Sequence, residues 1–279
     1  MIKAIELKAE DMHLLPARNS EGNKADFGKV LVIAGSPNMA GAAAFAALAA
    51  YRAGAGLVYV FTHELNRNIL QTLVPEAVLK TYDSKGFDIT TLNSLIDKCD
   101  SIVIGPGLGM SENALEMLRY LLFSIEKPMI IDADALNIIS VNYGLDECLK
   151  PNMVITPHIK EFSRLTRWSI EEIKADAAAK TLEYAKRRET TLVLKDADTF
   201  IADAEGHLFV NKLGNSGMAT GGSGDVLSGI IGAFLALPGV SPINAARCGV
   251  LLHALSGDRA ANERSERSMI ARDIIECIR

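Results

Sequence analysis

Apolar residues along this chain fall in short, uninterrupted runs separated by longer polar stretches. Val30, Leu31, Val32, Ile33 and Ala34 are contiguous, as expected of a strand buried on both faces. A turn at Gly35–Asn38 leads into an Ala-rich helix over residues 41–53, stopped by Gly54 and Gly56. Leu57–Phe61 is the next strand. The alternation repeats at Ser101–Ile104, Met129–Ile131, Met153–Ile155 and Thr191–Leu194, with polar segments between them long enough for helices. Strands alternating with helices imply a mostly parallel sheet flanked by helices on both faces. Residues 199–202 and 207–210, joined through Ala204-Glu205-Gly206, predict a hairpin. Helices then fill the chain from about Thr220 to the end. Residues 1–28 precede this rhythm and read as an N-terminal arm or lid over the core. With no linker, repeat or low-complexity tract, the whole chain, 1–279, is expected to form one α/β domain.

Composition narrows the function classes. The 279 residues are 49% hydrophobic and 23% charged, with a formal net charge of -5, ordinary for a soluble globular protein. No Lys/Arg block stands out, which argues against a nucleic-acid partner. Cys99, Cys148, Cys248 and Cys277 are scattered. They form no zinc or disulfide pattern and fit reduced thiols in the cytoplasm. The richest apolar stretch, residues 40–50, is too short and Ala-dominated to span a membrane, and the N-terminus is not a signal peptide.

Nearly every strand ends in a chemically loaded segment: Gly35-Ser36, Gly105-Pro106-Gly107, Asp132-Ala133-Asp134, Thr156-Pro157-His158 and Lys195-Asp196. In open parallel sheets ligands bind at the carboxyl ends of strands, so these segments can converge on one cleft. The strongest signal is Thr220-Gly221-Gly222-Ser223-Gly224-Asp225, followed by apolar residues at helical spacing. Glycines at a helix N-terminus let backbone N–H groups approach an anion. Asp225 is the one carboxylate there, placed to take a proton from a hydroxyl beneath a phosphoryl group. A first-turn Asp also serves the helix dipole alone, but three crowded glycines favour the chemical role.

The remaining segments leave alternatives open. Gly35 and Gly41 lack the Lys-Ser/Thr of a Walker A motif, and Gly105–Gly109 is spaced unlike a dinucleotide fingerprint. That turn marks either close backbone approach to a ligand or a tight structural turn. Of Asp132 and Asp134, one is expected to cap a short helix and the other to hold a metal ion or orient substrate. His158 and Glu161 stand one helical turn apart. Glu161 is a candidate Mg²⁺ ligand through water, or simply a first-turn acid. Lys195–Thr199 either contacts a nucleotide or is an ordinary turn. His13, His63, His207 and His253 receive no role.

Taken together, residues 30–58, 104–109, 130–137, 155–162, 192–199 and 215–236 resemble the nucleotide-dependent NAD(P)H-hydrate dehydratases, which have a ribokinase-like fold. The similarity runs from about Lys24 to Leu255. It departs at residues 23–28, Asn-Lys-Ala-Asp-Phe-Gly, where relatives commonly carry His-Lys-Gly. The resemblance implies a lyase that restores NADH or NADPH hydrated at C6 of the nicotinamide ring (NADHX, NADPHX). It acts on the S epimer with ADP in bacterial-type members, releasing AMP and phosphate, or with ATP in eukaryotic ones. Carried over residue by residue, Ala42, Gly105, Gly107, His158 and Asp225 face the hydrated cofactor, with Asp225 as catalytic base. Lys195, Asp196, Ala197, Asp198, Thr199, Gly222 and Gly224 hold the nucleotide. The family further implies Mg²⁺ and a homotetramer. Many members carry a fused epimerase domain, for which this chain has no room, so a separate epimerase is the expected pathway partner.

Two rival readings remain. A vitamin-precursor or sugar kinase of the same superfamily shares the glycine-rich Asp loop, but many such kinases carry Asn where this chain has His158. A non-catalytic nucleotide sensor would have no need of Asp225.

Overall fold

The computed structural model describes residues 3–279, which build one ten-stranded sheet. In chain order the strands are β1 (Ile5–Glu6), β2 (Lys29–Ile33), β3 (Leu57–His63), β4 (Val78–Tyr82), β5 (Ser101–Ile104), β6 (Met129–Ile131), β7 (Met153–Ile155), β8 (Thr191–Leu194), β9 (Thr199–Ala202) and β10 (Leu208–Asn211). Across the sheet they lie β1-β10-β9-β8-β7-β6-β5-β2-β3-β4. Pairing is parallel except on either side of β9, which forms the expected hairpin with β10. Two short edge strands escape the hydrophobic pattern. β1 has two residues, and β4 alternates exposed and part-buried positions because it has a neighbour on one side only.

The period-two alternation of strand side chains sorts the core into two layers. Val30, Val32, Val58, Val60, Val103, Ile130 and Val154 face the helices Ala40–Arg52, Ser223–Leu235, Pro242–Arg264 and Ala271–Glu276. Leu31, Ile33, Ile102, Ile104, Met129, Ile131 and Ile155 face the helices Ile89–Ile96, Glu112–Ser124, Ala133–Val141, Ile159–Thr166 and Ala177–Arg187. The β-branched runs are thus strands with both faces covered, and helices cover both.

The Ala-rich helix Ala40–Arg52 buries eight alanines, and its main neighbour is Ser223–Leu235. The fit is close enough that a side chain at Gly229 would strike the Ala46 carbonyl. Small residues here serve packing within the chain.

The N-terminal arm lies along the core helices. After pairing β1 with β10 it runs back across the helix Pro242–Arg264, where Asp11 binds Arg247 (2.5 Å) and the Asp11 carbonyl accepts from Cys248 Sγ. Arg18 stacks on Phe27 and donates to the Gly54 carbonyl. The chain then enters β2. Among the described residues, no helix is long and apolar enough to cross a membrane.

Candidate functional site

The direction of chain progression reverses between the neighbours β2 and β5: β3 and β4 follow on one side, β6, β7 and β8 on the other. Such a switch point opens a crevice at the carboxyl ends. Here the two glycine turns meet: Gly35 N–H donates to the Pro106 carbonyl (3.0 Å) and Ser36 N–H to the Gly107 carbonyl (2.5 Å). Asn66 braces the corner by donating to the carbonyls of Gly35 and Ser36. Ala42, Gly105 and Gly107 belong to this corner; a Cβ on Gly107 would press on Ala42 and Met39.

Asp134 links the corner to the catalytic candidate. Its carboxylate accepts from Gly109 N–H (2.8 Å) and Asn137. Asp132, at the N-cap position of Ala133–Val141, does not cap through its side chain either. The expectation that one of the two caps this helix is therefore corrected. Asp132 is almost fully buried, and its oxygens are taken by Lys195 Nζ (2.8 Å) and Ser228 Oγ (2.7 Å). A buried carboxylate demands such partners, and it holds the ammonium in place. Nothing in the strand-end pattern singled out Ser228; its spacing of three from Asp225 puts both on one helical face.

The glycine loop starts the helix Ser223–Leu235. Gly222 occupies the N-cap at φ +91°, a left-handed conformation that side chains disfavour. Ser223 N–H donates to the Thr220 carbonyl (3.3 Å) and Val226 N–H to the Gly222 carbonyl (3.0 Å). The amides of Gly224 and Asp225 find no acceptor among the described residues. Two free N–H groups at the positive end of a 13-residue helix form an anion cradle. Lys195 Nζ closes one side, 3.4 Å from where a Gly224 Cβ would stand.

Burial pushes the Asp225 carboxyl up to about 7; Asp132 and Asp134 add to the rise and Lys195 opposes it. Burial works against the Lys195 ammonium, but Asp132, Glu161 and Asp225 outweigh it and raise its pKa. Asp225 is thus poised near neutrality, as a general base requires.

A cleft of about 880 Å³ opens beside the cradle, large enough for a nucleotide. Lys195, Asp196, Ala197 and Thr199 form one wall with His158, and Ser223 and Gly224 form its floor. Asp198, Gly222, Asp225, Ala42, Gly105 and Gly107 lie outside this cleft wall. Sequence reasoning missed the rest of the lining: Asn211 at the end of β10, Gly214, Asn215 and Met218 in the segment after it, and Val250, His253 and Ala254. These loop residues carry no periodic signal, and the helix residues read as core.

His158 N-caps Ile159–Thr166, its Nδ1 accepting from Lys160 and Glu161 N–H while a Glu161 oxygen accepts from His158 N–H (2.9 Å). This capping box fixes both side chains. Burial, reinforced by Lys195, lowers the His158 pKa, and burial raises that of Glu161. Asp203, Glu205 and His207 also stand within metal-sharing distance of one another, at the far end of the β9–β10 hairpin. There Asp203 is spent on the turn, accepting from the amides of Gly206 and His207 and from the His207 ring.

Residues 30–279 match the family model described as NAD(P)H-hydrate dehydratase. The bifunctional NAD(P)H-hydrate repair enzyme Nnr of Moorella thermoacetica is 37% identical over 268 residues, covering 94% of this chain and 50% of that one. The chain thus spans about half the length of the bifunctional relatives it matches. The ADP-dependent (S)-NAD(P)H-hydrate dehydratase of Neisseria meningitidis serogroup B is 36% identical over 251 residues, 88% of this chain and 81% of that one. A ribokinase-like superfamily protein from Enterococcus faecalis superposes with a TM-score of 0.86 at 31% identity, covering 99% of this chain and 94% of the other. The chain has the ribokinase-like fold and belongs to the NAD(P)H-hydrate dehydratase family.

Proposed function

We propose that this protein is an ADP-dependent (S)-NAD(P)H-hydrate dehydratase, a lyase that returns NADHX and NADPHX to NADH and NADPH. The observation that carries the reading is the placement of Asp225 in the first turn of Ser223–Leu235, where the Gly224 and Asp225 amides are free and burial pushes the carboxyl up to about 7. Hydroxide leaves poorly, and phosphate leaves well. In the proposed sequence Asp225 takes the proton of the C6 hydroxyl as its oxygen attacks the terminal phosphorus of ADP, and AMP departs. The ring nitrogen lone pair then expels phosphate from C6, and the departing phosphate takes the C5 proton as the double bond is restored. The Gly224 and Asp225 amides and the Lys195 ammonium face the charge on the moving phosphoryl group. Ala42, Gly105, Gly107 and His158 are assigned to the hydrated cofactor. Lys195–Thr199, Gly222 and Gly224 are assigned to the nucleotide.

Mg²⁺ fits the donor set. Asp132 pairs with Lys195, and the Glu161 and Asp225 carboxyls act on the same ammonium; carboxylate oxygen is the donor type that suits a hard cation. Glu161 would hold it through water, and the ion would neutralise charge between phosphates. The reading includes a homotetramer, a cytoplasmic location and an epimerase activity acting in the same repair.

The test mixes purified protein with hydrated NADH, Mg²⁺ and ADP or ATP and follows recovery of dihydronicotinamide absorbance. Nucleotide-dependent recovery is expected, preferring ADP. Asp225→Asn should lose about 10²–10⁴-fold in rate while still binding ADP. No recovery with either nucleotide, using substrate confirmed to contain the S epimer, would sink the reading.

A further inference from the structure

Ser223 and His253 form a pair that the assignments above leave unused. Ser223 is the first residue of the glycine-loop helix, with its amide spent on Thr220. Its side chain is buried (7% exposed), yet it lines the cleft. Its Oγ lies 3.2 Å from His253 Nε2 and has no other partner among the described residues. His253 stands in the middle of Pro242–Arg264 and walls the same cleft. Burial, with Lys195 adding to it, holds the imidazole down to about 4 against an upward pull from the Ser223 backbone, so the ring is neutral at working pH.

We propose that the Ser223 hydroxyl is a third donor of the anion cradle and that His253 is the positioning residue that aims it. The inference rests on the nucleotide reading of the cradle, and its ligand is the terminal phosphoryl group of a nucleoside di- or triphosphate. A hydroxyl has one proton and a neutral imidazole has one N–H. If Nε2 accepted the Ser223 proton, the cradle would face a hydroxyl lone pair, which repels an anion. If Nε2–H donates to Oγ, the Ser223 proton is released toward the cleft, where the Gly224 and Asp225 amides and Lys195 already gather positive potential. A bound phosphate therefore selects the Nε2–H tautomer, and a chain of donors runs from His253 through Ser223 to a phosphate oxygen. Such a chain polarises each bond along it.

The competing role is mechanical: the same bond ties the helices Ser223–Leu235 and Pro242–Arg264 together. A double-mutant cycle on nucleotide affinity separates the two. Titrations of ADP and of AMP would be made into wild type, Ser223→Ala, His253→Ala, the double variant and His253→Gln. A hydrogen bond to a charged acceptor corresponds to about 10–100-fold in affinity. Ser223→Ala should therefore weaken ADP by about that factor and leave AMP within about threefold, which also reports intact folding. His253→Ala should cost about tenfold for ADP, the double variant no more than Ser223→Ala, and the Gln amide N–H should recover most of the loss. Unchanged ADP affinity in Ser223→Ala, multiplicative losses in the double variant, or a Gln variant no better than Ala overturns the proposal. Wild type that turns over hydrated NADH while failing these tests sinks this inference alone. Wild type that binds neither ADP nor ATP removes the functional reading and this inference with it.

Discussion

The folded-state pKa of Asp225, about 7, stands above the ordinary carboxyl value of 3.8, so the folded protein binds this proton more tightly than the unfolded chain does. Stability from this group is full below the unfolded value and is lost as pH rises toward 7. The same ionisation creates the base. The ascending limb of kcat/KM should therefore lie near pH 7 in wild type and vanish in Asp225→Asn. The Asn variant should also gain stability over wild type as pH rises from about 4, levelling off above about 7, by about 2 kcal/mol or more at neutral pH. Denaturant unfolding at pH 5 and pH 8 checks the sign. An Asn variant less stable than wild type at pH 8 would mean that Asp225 gains more from Lys195 than it loses by burial. Asp225 was legible because it is the one carboxylate in a glycine-rich helix start. Asp132 was legible as chemistry but its partners were not, since only the folded sheet brings Lys195 and Ser228, 63 and 96 positions away, to its two oxygens.

Helices transmit that geometry to the cradle. Ser223–Leu235 bears the free amides and Asp225 at one end, while its apolar length packs on Ala40–Arg52. Gly229 sits against the Ala46 carbonyl, with no room for a Cβ. Gly229→Ala should overpack this contact at a cost of about 1–3 kcal/mol, lowering Tm by several degrees. Because the displaced helix carries the cradle, kcat should fall as well, although residue 229 lies a full turn beyond the site. A melting temperature and a rate both equal to wild type would contradict the close approach. Continuous apolar runs made the buried strands readable, and alanine density marked a helix. Which helix would meet which was not readable, because small residues allow close approach without naming the partner. The edge strands β1 and β4 were missed for a related reason: a strand with one neighbour needs no continuous apolar run.

At the scale of the molecule, the candidate site gathers at the carboxyl ends of the strands, and the arm packs on the helix Pro242–Arg264. The sequence reads residues 1–28 as an arm or lid over the core. In the fold they cross the helix Pro242–Arg264, and Asp11 is the carboxylate partner of Arg247 (2.5 Å). Arg247 also stacks on Phe209, 4.0 Å from the ring centroid. Both partners are largely shielded, with side chains 15% and 20% exposed, so removing one leaves the other short of a counter-charge in a poorly hydrated position. Asp11→Ala should cost about 1–3 kcal/mol and lower Tm. The variant should keep wild-type kcat and KM for both substrates, because the glycine-loop cleft takes no residue from the arm. A lid would behave in the opposite way, since loosening it shifts KM and kcat together while global stability changes little. The pair of measurements on one variant therefore decides between strap and lid: a fall in Tm at constant kinetics means a strap, and altered KM at constant Tm means that the arm reaches the active end during turnover.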